Sequence, residues 1–176
     1  MSISDRFSLP YQGMKDGLHQ YQFEADDDFF AEFENSPIKN GFFKIDVNID
    51  KRTNLSELNI EIDGYYSTIC DRCLADIKLP VKGSYDLLIK VSDTETDNDE
   101  VIFIKEDESK LLLAQIFFEY ICLSMPWINV YECENENPAP CNTEILKKLN
   151  ETSGKMDESK TDDNIWEGLK GIQLDN

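Results

Sequence analysis

The sequence predicts an α+β fold: a curled, barrel-like antiparallel meander covered by one long apolar helix, with short peripheral helices. Two observations carry this expectation. Between residues 41 and 91, three successive segments alternate apolar and polar side chains, the period of strands with one buried face. The run from Leu111 to Met125 is apolar around most of its circumference and stops at Pro126, which suits a helix packed on the sheet from several sides.

The elements follow in order. Phe7-Ser8-Leu9-Pro10 reads as a short first strand, and residues 17 to 25 as a second, with His19, Tyr21 and Phe23 alternating with Gln20, Gln22 and Glu24. Asp26, Asp27 and Asp28 place carboxylates in the first turn of a short helix whose phenylalanines plug the core. Gly41 to Arg52 puts Phe43, Ile45, Val47 and Ile49 on one face and Lys44, Asp46, Asn48 and Asp50 on the other. Short polar turns make this strand, Leu55 to Ile69 and Ile77 to Val91 antiparallel neighbours. Gly64 and Gly83, inside the strands, mark bulges or bends. Ser92 to Glu100 is an acidic loop without the glycine and spaced glutamate of an EF-hand, and Val101 to Ile104 is a short buried strand. Asn142 to Leu149 reads as a short amphipathic helix. The organisation is a single α+β domain over 1–150, a flexible polar connector over 151–164, and a short helix over 165–176 that docks on the domain or a partner.

Composition limits the function classes. With 36 acidic and 17 basic side chains, the net charge is −19, which excludes a broad basic surface for nucleic acid. The same charge suits a basic protein partner, or serves solubility alone. There is no basic-then-apolar leader, and Gln115 and Glu119 interrupt the longest apolar stretch, so neither export nor a membrane span is expected. Five cysteines without an export signal point to reduced thiols in a cytoplasm.

Chemistry concentrates at Cys70-Asp71-Arg72-Cys73, between two strands and so at the tip or shoulder of a hairpin. Structural zinc held by Cys70, Cys73, Cys133 and Cys141 is the metal hypothesis, with sulfurs about 2.3 Å from the ion. The Cys-x7-Cys spacing of the second pair departs from a zinc ribbon and favours reduced thiols packed without metal. A thiol redox role for Cys70 and Cys73 is the enzymatic alternative, but the motif does not open a helix, where a dipole would lower the first thiol's pKa. Cys122, amid Ile121 and Leu123, reads as a core thiol. The single histidine, His19, alternates within a strand, and no Gly-rich phosphate loop or nucleophile elbow is visible, so a non-enzyme is expected. Arg72 and Lys78 with Tyr65 and Tyr66 are candidate RNA or partner contacts that combine cations with stacking surface, and Trp166 is a further candidate for the same role.

Taken in order, Cys70-Asp71-Arg72-Cys73-Leu74, Leu111 to Ile116 running into Glu119 to Pro126, Cys141-Asn142 and the Trp166-centred tail resemble the YceD family of large ribosomal RNA subunit accumulation proteins. The Asn142-containing form and the acidic balance resemble its Bacteroidetes version. The resemblance implies a non-enzymatic, cytoplasmic bacterial factor supporting synthesis, processing or stability of large-subunit ribosomal RNA. It implies large-subunit precursors as partners, met through a ribosomal or assembly protein or through 23S rRNA, with no membrane and no small-molecule substrate. The zinc-stabilised alternative is an RNA-binding module.

Overall fold

The longest strands form where the alternation of apolar and polar side chains is longest. The structure, a computed structural model, describes residues 3–53, 55–92, 101–105, 108–133 and 139–153. Its elements are α1 (Ile3–Arg6), β1 (Ser8–Leu9), β2 (Gly17–Ala25), α2 (Asp27–Ala31), β3 (Gly41–Lys51), β4 (Leu55–Ile69), β5 (Asp76–Val91), β6 (Val101–Ile104), β7 (Leu111–Leu112), α3 (Ala114–Ser124) and α4 (Thr143–Ser153). One five-stranded sheet has the order β2-β3-β4-β5-β6, and β1 pairs with β7 in a separate two-stranded ladder. The pairs from β2 to β5 are antiparallel, whereas β5 and β6 run parallel.

The inner face is the predicted one. Ile45 sits opposite Ile62, Val47 opposite Ile60 and Ile49 opposite Leu58, and all six are buried. On β5, Ile77, Leu79, Val81, Leu87 and Ile89 continue that face. Ser56, the one buried polar residue among the described residues, shares a 2.8 Å hydrogen bond with the Tyr11 hydroxyl and accepts one from the Arg52 amide.

Three expectations of architecture need correction. The sheet is mixed and open, with β2 and β6 as edges, instead of a barrel-like antiparallel meander. No long apolar helix covers it: Leu111 and Leu112 pair with Leu9 and Ser8 as β7, and the helix is only Ala114–Ser124. Leu111 to Leu113 is uniformly apolar, so it carries no period to separate strand from helix. Lengths explain why one helix cannot suffice. A 15-residue strand such as β4 extends about 50 Å at 3.3 Å per residue, whereas 11 helical residues extend about 16 Å. The cover is therefore composite, with Phe7, Leu9 and Tyr11 before β2, Phe29 and Phe30 of α2, and Phe117 and Ile121 of α3. Phe7 meets Phe23, Phe29 and Phe117 with ring centroids 4.7–6.1 Å apart. The proline stop holds: Met125 is extended at ψ 139°, as the residue before Pro126 must be.

Gly64 and Gly83 make no bulge, because the β3–β4 and β4–β5 registers run through them unbroken. Both are sites of close approach. A Cβ on Gly64 would lie 2.7 Å from Phe43 Cα, and one on Gly83 would overlap the Ser124 hydroxyl at the end of α3. There Tyr85 stacks on Tyr120 at 4.1 Å, and its hydroxyl meets Ser124 Oγ at 2.8 Å. The acidic segment 93–100, most of the connector and all of residues 165–176, Trp166 included, lie outside the described residues; α4 runs to Ser153.

Gly83→Val is expected to cost about 1–3 kcal/mol in urea denaturation, the range for forcing extra methyls into a packed contact. Asp26 caps α2 by accepting the Phe29 amide and pairs with Arg6 at 3.2 Å, so Asp26→Ala should cost about 1 kcal/mol. Burial pushes the Asp26 carboxyl up, but Arg6 and the Phe29 amide hold it below its ordinary 3.8. The native carboxyl's advantage is therefore complete above that value and fades as pH falls through the lower folded one.

Candidate functional site

β4 and β5 end together, Ile69 opposite Asp76, and the six residues between them form the hairpin tip. Cys70 closes this turn: its amide donates to Ala75 O at 2.8 Å and its carbonyl accepts from the Leu74 amide at 2.9 Å. Leu74 takes φ 56°, in the left-handed region, to complete it. Cys70 and Cys73 are both buried, at 1% and 0% exposure. Burial raises the Cys70 thiol, yet the amides of Cys73, Tyr131 and Arg72 and the Cys73 thiol hold it below the ordinary cysteine value.

The segment after α3 returns to this tip. The Asp71 amide donates to Asn129 O at 2.8 Å, and Asp71 Oδ2 accepts the Asn129 amide at 2.7 Å. The Tyr66 hydroxyl donates to Asn129 Oδ1 at 2.5 Å. These three bonds hold residues 127–133 beside the hairpin. Cys133 and Cys141, eight positions apart, are paired through their sulfurs with Cα atoms 6.2 Å apart. Cys70, Cys73, Cys133 and Cys141 border one cavity of about 480 Å³, together with Arg72 and Leu146 of α4. All four cysteines named from the sequence thus meet at one place. In this paired form, no group of three Cys, His, Asp or Glu is arranged to hold an ion among the described residues.

The other named residues divide. Lys78 Nζ lies 4.8 Å from the Tyr65 ring centre on the outer face, and Arg72 is exposed at the tip. Tyr66 is 2% exposed and occupied by Asn129, so it offers no stacking surface. Its parity shows this: Leu58, Ile60, Ile62, Gly64 and Tyr66 share the inner face. Cys122 is half-buried on α3, its pKa raised by burial and then by the Glu119 charge. His19 is satisfied by Lys15 O at 2.7 Å. Asn129 had no sequence signal, since an asparagine in an irregular segment is unremarked until the fold returns it to Asp71. Beside it, Trp127 is fully exposed and Ile128 is 65% exposed.

The redox alternative lacks its activating geometry, because Cys70 lies between strands and not at a helix N-terminus. Among the described residues, no helix is long and apolar enough to cross a membrane.

Tyr66→Phe should lower stability by about 1 kcal/mol, by leaving Asn129 Oδ1 without its donor. Tyr65→Phe, on the outer face, should change it by less than about 0.5 kcal/mol in the same denaturation experiment.

No curated protein and no solved structure matches the chain. A family model does, over residues 58–173, more than half of the sequence, and its span takes in most of β4, the hairpin tip, α3 and both later cysteines. The family's name ties it to accumulation of the large ribosomal RNA subunit. By that match, the chain belongs to the family of the large ribosomal RNA subunit accumulation protein YceD.

Proposed function

We propose that this chain supports accumulation of large-subunit ribosomal RNA as a non-enzymatic biogenesis factor in the bacterial cytoplasm. It does so by contacting a basic ribosomal or assembly protein on large-subunit precursors, and not by gripping 23S rRNA itself. The observation that supports this reading is the charge on the outer face of the sheet. Asp46 stands directly opposite Glu61, and Asp50 opposite Glu57. Like charges in directly opposed positions destabilise a sheet. Local partners offset part of that cost: Arg52 bonds Asp50 and lies 3.9 Å from Glu57, and Gln22 donates to Asp46 at 2.7 Å. Lys82 neutralises Asp63 at 2.7 Å. On a chain of net charge −19, such a face repels phosphate and attracts basic side chains over about 8 Å at physiological salt. The named cations Arg72 and Lys78 are too few to track an RNA backbone, where binding strength follows the number of phosphates neutralised.

The test is capture of large-subunit precursors on immobilised full-length chain, with and without nuclease and across a salt series. Capture should survive nuclease, weaken with salt and disappear in the Asp46→Lys/Glu61→Lys double variant, whose folding is checked by thermal melting. Capture abolished by nuclease and indifferent to the charge reversal would contradict the protein-contact reading.

A further inference from the structure

We propose that Cys70, Cys73, Cys133 and Cys141 of the reduced chain form a four-thiolate site for a structural zinc ion, joining the hairpin tip to the segment after α3. The proposal is independent of which partner the outer face meets. It stands on convergence: two thiols on a tight turn and two more, some sixty positions later, border the same cavity. The spacing objection to the second pair disappears in three dimensions, because the fold brings Cys133 and Cys141 Cα atoms within 6.2 Å of one another. That separation suits two ligands of one tetrahedral ion as well as a sulfur–sulfur bond.

The surroundings of Cys70 suit a ligand sulfur. Amide N–H groups of Arg72, Cys73 and Tyr131 converge on the Cys70 sulfur, an arrangement that stabilises a ligand's negative charge and fixes its direction. Four thiolates around one zinc leave a net charge of −2; the cavity wall carries one residue of each sign, Arg72 and Glu132, so the wall itself adds no net charge to the site. Binding converts each thiol to a thiolate and releases its proton to solvent, so no electron changes hands. The competing state is the Cys133–Cys141 disulfide, which leaves only Cys70 and Cys73 as free thiols at the cavity.

The test uses full-length chain purified under reducing conditions and titrated with cobalt(II) as a spectroscopic stand-in for zinc. The expected result is one equivalent bound per chain. It should show sulfur-to-cobalt charge transfer and the intense visible bands of a tetrahedral four-thiolate site, which zinc displaces. Cys122→Ser should keep that spectrum, and the Cys133→Ser/Cys141→Ser double variant should lose it. The metal titration of the native chain stands even if a variant fails to fold. A reduced native chain without cobalt–thiolate absorption, or a double variant that retains the four-thiolate spectrum, would overturn the site. So would a Cys133–Cys141 disulfide that survives reduction of the folded protein.

Discussion

The molecule depends on the ladder between β4 and β5. It runs in one register from the Leu55–Lys90 pair to the Ile69–Asp76 pair. Side chains alternate along it with a period of two, so a slip of one residue would turn Leu58, Ile60 and Ile62 outward and bury their acidic neighbours. The two glycines guard that register. Gly64 admits the Phe43 backbone, and Gly83 admits the end of α3, each where a Cβ would collide. The same ladder carries Cys70 to the end of the hairpin, where the returning chain can reach it.

The core and the site are built by different means. Under the sheet, stability comes from apolar burial shared among short pieces: the N-terminal residues, α2 and α3 each cover part of a face too long for any one of them. At the hairpin tip residues 127–133 are held by polar bonds as well as packing: Asn129 bonds Asp71 and Tyr66, the Tyr131 amide reaches the Cys70 sulfur, and half-buried Tyr131 packs against the core. The exposed Trp127 and Ile128 are thus presented on a segment held by polar contacts and packing.

Much of this was legible in the chain. The strands β2 to β5 were readable because each has one wet face, and alternation survives wherever one side meets water and the other the core. The hairpin tip was readable because Cys70 to Leu74 interrupts two such patterns. What was illegible lacks a period: Leu111-Leu112-Leu113 is apolar whichever way it folds, so the two-residue pairing with β1 and the short length of α3 were hidden. The parallel placement of β6 beside β5 is not encoded by a four-residue apolar strand, which reads the same in either direction. Of the site, the four cysteines could be named and grouped as a hypothesis, but the Cys-x7-Cys spacing argued against their convergence. That convergence is set by the return of Asn129 to Asp71, a contact between residues 58 positions apart.

The hairpin tip and the segment after α3 form one unit. Amide hydrogen exchange resolved at Asp71 and Asn129 tests it most directly, since each amide donates only to the other segment. Both amides should exchange slowly and at similar rates, and Tyr66→Phe should accelerate the two together. Rapid exchange at Asn129 beside a protected β4–β5 ladder would show the segment detached from the hairpin and would contradict the account.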